Sequence, residues 1–425
     1  MVERLRRVLE TLRSVLRFRR VEVDPVARRL RAAACVADLR AVARRRLPRG
    51  VFDYIDGGAE DERTLASNSE AFARITFRPR VLRDVGTIDP STTLLGRPMP
   101  IPLVLAPTGF TRIADPEGEL AVARAAARAG LPYTLSTLGT RSIEEVAAIS
   151  DGPKWFQVYV WRDRGLVKEM IDRAADVGFE ALVLTVDTAV LGRRERDVRR
   201  GFSLPPKIGP GTLVDCALHP AWTLALLRSE PIRFANVAGR SVGDIGTDAV
   251  SLADYVNQQF DPTLSWRDVE WMRSEWSGPL VIKGIQTVAD AVLAAEMGVE
   301  CVALSNHGGR QLDSAPAPIA LVAPVADAVG DRTEIVCDGG VRRGSDIVKA
   351  VALGARACMA GRPYLYGLAV GGERGVDHVL DLFDADVRRT MALVGARSVE
   401  DLTQDLVDTR SGENAYEGMR LRGVP

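Results

Sequence analysis

The chain is short of the residues that mark metal centres, disulfide scaffolds and lysine-rich binding faces. It has three histidines and five cysteines in 425 residues. Cys35, Cys216, Cys301, Cys337 and Cys358 are odd in number, widely spaced and form no Cys-x-x-Cys pair. That argues against a disulfide framework or a zinc site, so no metal is expected. Three of the cysteines sit inside apolar runs, where a thiol acts as a small hydrophobe, and a reducing cytoplasm suits them. Only five of the 56 basic residues are lysine (Lys154, Lys168, Lys207, Lys283 and Lys349), a bias that GC-rich codon usage accounts for. Acidic residues also number 56, so the net charge is zero and nothing draws the chain as a whole to nucleic acid. No run of 18 apolar residues occurs, which excludes a membrane-spanning helix, and the first residues lack the apolar core of a secretory signal. With 46% hydrophobic and 26% charged residues, the composition excludes a disordered or collagen-like chain.

What is present has a clear order. In residues 1–24, Val2, Leu5, Val8, Leu9, Leu12, Val15 and Leu16 recur at helical spacing, and seven arginines fill most of the remainder. Such a basic amphipathic helix docks on its own protein or a neighbouring subunit, or lies on an anionic membrane surface; the pattern does not separate these. Residues 25–99 read as a helical N-terminal cap. From residue 100 to 425, short apolar runs alternate with helical patterns. The runs are 101–106, 131–136, 154–160, 180–187, 279–283, 299–305, 334–338 and 356–361, each without internal polar alternation. Strands buried on both faces of a parallel sheet read this way. Helices are expected over 116–129, 163–177, 264–275, 286–297, 343–353 and 375–395. Eight such units in succession predict an α/β fold, a (β/α)8 TIM barrel with a helical N-terminal extension. A doubly wound sheet is the runner-up, but no Gly-x-Gly-x-x-Gly turn follows the first strand. The fourth unit carries a long loop, 201–263, with an apolar helix candidate at 219–229; an excursion of this size is usually a lid or binding loop.

Barrel enzymes carry their chemistry at the C-terminal strand ends. Polar groups fall there all the way round: Thr108, Ser136, Gln157 and Tyr159, Thr185 and Asp187, Lys283, Ser305 to Arg310, Asp338 to Arg342, and Gly361-Arg362. Lys283 alone reads as an ion pair and His307 alone as a hydrogen-bonded structural histidine, but both cap consecutive strands. Gly339-Gly340 with Arg342, then Gly361-Arg362, offer backbone amides and guanidiniums after strands seven and eight, where barrels often bind phosphate. His307 can remove a proton near neutral pH, with Asp187 orienting it, and Arg310 can clamp a carboxylate. Oxidation would require a cofactor, since side chains take up no hydride. The residues alone therefore point to a barrel with a phosphate-bearing ligand, an acid substrate and a general base.

These motifs resemble the FMN-dependent L-2-hydroxy acid oxidase and dehydrogenase family, which includes glycolate oxidase, L-lactate dehydrogenases, lactate monooxygenase and mandelate dehydrogenase. The resemblance runs from about residue 36 to 405 and rests on FDYIDGGAEDE (52–62), LAPTGF (105–110), WFQVYVW (155–161), LTVDT (184–188), LGRRERD (191–197), KGI (283–285), SNHGGRQLD (305–313), CDGGVRRG (337–344) and GRPYLYG (361–367). Within the family the chain most resembles actinobacterial respiratory L-lactate dehydrogenases. The resemblance implies FMN over the barrel mouth, lined by Ala106, Pro107 and Thr108, with Ser136, Gln157 and Thr185 bonding the ring. It implies Lys283 beside the flavin, Ser305 near the ribityl chain, and Asp338, Gly339, Gly340, Val341, Arg342, Gly361 and Arg362 around ribityl and phosphate. His307 would take the hydroxyl proton, paired with Asp187; Arg310 and Tyr54 would hold the carboxylate; Tyr159 and Arg194 would complete the substrate site.

Two further positions bear on substrate and acceptor. Leu138 stands where glycolate oxidase-like members carry tryptophan, which leaves room for a methyl or larger side chain and favours L-lactate. Gly109 stands where many oxidases have alanine, and favours an acceptor other than oxygen. A quinone at the inner face of the cell membrane, peripheral membrane contact and a homotetramer are the corresponding expectations. No heme-binding segment is recognisable, so a cytochrome-fused mechanism is not expected. The alternatives are an aryl (mandelate-type) 2-hydroxy acid oxidase using oxygen, a lactate monooxygenase, a non-redox phosphate-binding barrel, and a membrane-surface scaffold without catalysis.

Overall fold

A computed structural model describes residues 22–200, 209–237 and 258–409, together with Arg4, Arg6 and Thr11. The basic segment 1–24 therefore falls almost wholly outside the described residues, as do 201–208 and 238–257 of the long loop.

Eight parallel strands close into a barrel. They are β1 (Leu103–Leu105), β2 (Tyr133–Ser136), β3 (Lys154–Tyr159), β4 (Ala181–Thr185), β5 (Leu280–Ile285), β6 (Cys301–Leu304), β7 (Glu334–Asp338) and β8 (Ala357–Ala360). Closure is made where β8 pairs with β1, Cys358 opposite Leu103. The two faces explain the unalternating runs. Val104, Val183, Val281, Ala303, Val336 and Met359 fill the interior, while Leu103, Leu182, Ile282, Val302 and Cys337 pack outward under the helices. Burial on both faces removes any selection for polar alternation.

The surrounding helices are α1 (Gly118–Arg128), α2 (Ile143–Ala148), α3 (Arg164–Asp176), α4 (Trp266–Glu275), α5 (Val288–Glu296), α6 (Ile319–Val329), α7 (Gly344–Ala352), α8 (Arg362–Gly371) and α9 (Glu373–Val394). Local chemistry starts several of them: Ser142, Asp163 and Thr287 accept backbone N–H bonds from Glu145, Leu166 and Asp290. Three of the nine, α2, α6 and α8, were not expected from periodicity. α2 is six residues long; α6 is apolar nearly all round and contains Pro324; α8 is buried along most of its length. None presents the one-sided stripe that marks an amphipathic helix.

Before the barrel come helices Pro25–Ala32, Val36–Arg46, Arg49–Asp56 and Arg63–Arg74, then a hairpin of Thr92–Leu94 and Arg97–Met99. The hairpin fills the N-terminal end of the barrel. Leu94 and Met99 join the interior cluster, Leu95 N–H donates to Glu334 at the start of β7, and Arg97 pairs with Glu180 just before β4.

β5 runs two residues beyond the expected end at Lys283, with a register shift between Lys283 and Ile285. Gly284 has φ +114°, and a Cβ there would lie 2.9 Å from the Asp187 backbone N. Glycine at this position lets the β4 end approach the β5 end, which fixes where Asp187 sits.

Candidate active site

A cavity of about 600 Å³ opens at the C-terminal end of the barrel. Tyr54, Ala106, Pro107, Thr108, Ser136, Leu138, Gln157, Tyr159, Thr185 and Arg194 line it. So do Lys283, His307, Arg310, Asp338, Gly339, Gly340, Val341, Arg342, Gly361 and Arg362. Asp187 and Ser305 are not in the lining. They stand behind it, Asp187 bonded to His307 and Ser305 to Lys283 and Asp338.

Two polar networks organise the floor. Lys283 Nζ lies 2.8 Å from Asp338 Oδ2 and donates to Ser305 Oγ at 2.8 Å, while Ser305 Oγ donates to Asp338 Oδ2 at 2.7 Å. Burial works against the ammonium, but the Asp338 and Asp187 carboxylates outweigh it and hold the Lys283 pKa above its ordinary value. Burial likewise opposes the Asp338 charge, and Lys283 more than offsets it, so that pKa is lowered. The second network is His307 Nδ1 at 2.9 Å from Asp187 Oδ1. His307 has φ +57°, an uncommon conformation for a residue with a side chain, and its N–H is fixed by Ser305 Oγ at 3.0 Å. Backbone strain of this kind gathers at functional sites. Its loop is clamped by a reciprocal amide pair between Asn68 and Asn306, at 2.9 and 2.7 Å.

Two cations of the site, Arg310 and Arg362, have no ion pair among the described residues. Arg310 donates to the backbone oxygens of Tyr54 and Gly57, and Arg362 to those of Ile55, Gly57 and Gly308. Neither meets a carboxylate among the described residues. Burial, then repulsion from Arg194, pulls the Arg310 pKa down to about 9, and burial lowers that of Arg362. Two half-buried guanidiniums held by neutral carbonyls form a site for anionic groups. The Tyr54 ring is flanked by the Arg194 and Arg310 guanidiniums, 5.5 and 5.0 Å from its centroid.

The glycines at the β7 end form a second anion cradle. Gly339 and Gly340 have φ +95° and +88°, and a Cβ on Gly340 would stand 2.2 Å from the Asn68 carbonyl oxygen. Close by, α8 begins at Arg362 with its N-terminus uncapped by any side chain. On the β3 side, Gln157 Oε1 accepts from Ser136 Oγ and Thr137 N–H, leaving its Nε2 buried without a partner. An orphaned donor of this kind implies an acceptor from a ligand. Among the described residues no group of three or more His, Cys, Asp or Glu is placed to hold a metal.

Several contributors lie outside the expected set. Tyr364 Oη donates to the Ala106 carbonyl and lies 2.7 Å from Thr108 Oγ1, fixing the end of β1. Phe110, Phe234 and Phe260 join the cavity wall. Tyr364 falls within a motif already noted, whereas the two loop phenylalanines have no sequence signal of their own.

A family model for FMN-dependent dehydrogenase matches residues 43–409. The chain is 47% identical to a putative L-lactate dehydrogenase of Mycobacterium tuberculosis, over 92% of this chain and 93% of that protein. It is 44% identical to glycolate oxidase 1 of Oryza sativa subsp. indica, over 91% and 98% respectively. A crystal structure of (S)-mandelate dehydrogenase, described as a monotopic membrane protein, superposes with TM-score 0.85 at 39% identity, covering 89% of this chain and all of that one. The site fits the cofactor of that family: an orphaned amide donor for a heteroaromatic ring, a fixed ammonium beside it, and a glycine cradle with guanidiniums for a phosphate.

Proposed function

The chain belongs to the family of FMN-dependent dehydrogenases, and from that premise we propose that its substrate is L-lactate and that its electrons pass to a quinone rather than to oxygen. FMN-dependent oxidation of a 2-hydroxy acid is the activity of the chain. The observation that carries the reading is the pairing of His307 with Asp187 beside a half-buried Arg310 that meets no carboxylate among the described residues.

Each residue has a task in this reading. Arg310 and the Tyr54 hydroxyl hold the substrate carboxylate, with Arg194 and Tyr159 completing the enclosure. His307 Nε2 takes the α-hydroxyl proton, while Asp187 accepts from Nδ1–H, fixes the tautomer and stabilises the imidazolium. Thr108, Ser136, Gln157 and Thr185 would hold the flavin ring; Gly339, Gly340, Arg342, Gly361 and Arg362 would hold its ribityl and phosphate. Bound FMN supplies acceptance of the two electrons released as the 2-hydroxy acid becomes the 2-oxo acid. Lys283 places a fixed positive charge where negative charge then develops.

Leu138 and Gly109 support the finer reading. Leu138 is modest in size, and a Cβ on Gly109 would stand 3.0 Å from Leu138 Cβ, so glycine keeps this wall relaxed. The membrane reading rests on helices Pro210–Leu218 and Pro220–Arg228, which bury no residue and expose Leu213, Val214, Leu218 and Leu227. Val190 and Val198 are also exposed, and Val198 lines the cavity. A peripheral position at the inner face of the cell membrane and a homotetramer complete the proposal; no described helix is long and apolar enough to cross a membrane. The likeness to (S)-mandelate dehydrogenase supports, as a second reading, an aryl 2-hydroxy acid such as mandelate.

The test is anaerobic flavin bleaching by L-lactate and, separately, L-mandelate, followed by air and then a quinone analogue. Bleaching by lactate with slow recovery in air and fast recovery with quinone is expected. Bleaching mainly by mandelate with fast recovery in air overturns the lactate–quinone reading in favour of the second.

A further inference from the structure

The long excursion between β4 and α4 returns to the barrel at two places, and each return delivers one phenyl ring to the cavity. At the first, Arg112 Nη2 donates to the Glu230 carbonyl at 2.7 Å, and Ala235 N–H donates to the Gly139 carbonyl at 3.1 Å. Asn236 accepts from Ile143 N–H at 2.9 Å and donates to the Ser136 carbonyl at 3.3 Å. Arg112 and Asn236 are themselves buried. Buried polar groups bonded in this number define one loop position. Between these anchors sits Phe234, 4% exposed, its ring 5.6 Å from that of Phe110, which in turn lies edge-on to Tyr54 at 6.3 Å.

The second return is pinned to the end of β3. Phe260 forms an antiparallel bridge with Trp161, and Arg162 N–H donates to the Gln259 carbonyl at 2.9 Å. The Phe260 ring stands edge-on to Tyr159 at 5.3 Å. Tyr54 packs against the Arg310 guanidinium, and Tyr159 lies within reach of the charges of Arg310 and Arg194. The two phenyl rings therefore flank the reacting acid rather than the cofactor phosphate. Leu138 lies on the same side, one residue from the Gly139 carbonyl that anchors Ala235.

We propose that Phe234 and Phe260, held by the two anchored returns of this loop, form the walls of the substrate side-chain pocket and set which 2-hydroxy acids are accepted. The proposal rests on the reading of the cavity as a 2-hydroxy acid site. With Leu138 they enclose the α-carbon substituent in an apolar box that suits a short aliphatic group. Longer or aryl substituents meet rings whose loop yields only by breaking the hydrogen bonds that anchor its two returns.

The experiment compares kcat/KM for L-lactate, L-2-hydroxyhexanoate and L-mandelate in the flavin-loaded wild type, Phe234→Ala and Phe260→Ala. The expected result is a rise of about tenfold or more in the hexanoate-to-lactate ratio in each variant, the discrimination that one or more methylenes in an apolar pocket confers. An unchanged flavin spectrum reports an intact fold. Where an alanine variant fails to load flavin, Phe234→Leu or Phe260→Leu replaces it, with a shift of about threefold in the same direction expected. Ratios that stay at the wild-type value in flavin-loaded variants overturn the proposal, even where lactate turnover falls. A wild type whose flavin is reduced by none of the three acids overturns the 2-hydroxy acid reading itself, and the proposal with it.

Discussion

Replacing Asp338 with Asn tests how the site keeps Lys283 charged. The ammonium is buried, 2.8 Å from Asp338 Oδ2 and 2.8 Å from Ser305 Oγ. Its raised pKa, in the face of burial, depends first on Asp338 and then on Asp187. A raised lysine pKa contributes stability that is fully present below the unfolded value of about 10.4 and is lost as pH rises through the folded value. The lowered Asp338 pKa contributes stability that is present above about 3.9 and is lost as pH falls through the folded value. The pair is therefore intact across the neutral range. In Asp338→Asn, only Asp187 is left to oppose burial, and the ammonium pKa is expected to fall below its unfolded value. The lysine then destabilises the fold near neutral pH, by about 1.4 kcal/mol for each unit of that fall, and the deficit shrinks as pH rises through the lowered folded value and is gone above about 10.4. Removing one partner of a buried pair costs about 3–5 kcal/mol. Asp187 remains and the ammonium can release its proton, so about 3 kcal/mol is expected. Denaturant unfolding of the flavin-loaded variant near neutral pH and again at alkaline pH measures the deficit. Anaerobic flavin reduction across the same range measures the charge, and a declining alkaline limb absent from the wild type is expected. Wild-type stability at both pH values with no new limb would refute the reasoning.

Two further predictions separate cofactor binding from proton removal. His307→Ala retains bound flavin but slows its reduction by the hydroxy acid about 10²–10⁴-fold, the contribution of a general base, as followed by stopped-flow absorbance. Retained wild-type reduction rates would remove His307 from that role. Gly340→Ala yields protein that purifies without flavin, because its Cβ would stand 2.2 Å from the Asn68 oxygen at φ +88°. Gly96→Ala, also at positive φ but with nothing within 4 Å, keeps the yellow colour and serves as the comparison.

The barrel was legible because a parallel strand buried on both faces leaves an unalternating apolar run. The site was legible because barrel topology turns the ends of those runs into an address. Gln157, Lys283 and His307 could be placed at the mouth from position alone. What stayed hidden depends on contacts between distant segments. The Asn68–Asn306 pair joins residues 238 apart, and Arg112 meets Glu230 across 118. Leu94 and Met99 read as ordinary apolar residues, yet they fill the bottom of the barrel. Phe234 and Phe260 belong to a loop whose course no periodicity records. α8 was hidden for a local reason: it is buried along most of its length, and only Gly372, at φ +60°, divides it from the helix that follows.

The hairpin of residues 92–99 makes the barrel a vessel with a single door. With Leu94 and Met99 seated among the interior side chains and Leu95 tied to Glu334, the far end offers no passage. Incoming acid, departing product and arriving electron acceptor must all use the mouth where Arg310 and His307 stand. Such traffic must take turns, one partner leaving before the next enters. A product that lingers blocks the acceptor, and a saturating acceptor competes with fresh acid for the same threshold. Steady-state plots against acid at several acceptor concentrations should therefore run parallel, with each partner inhibiting at the other's expense.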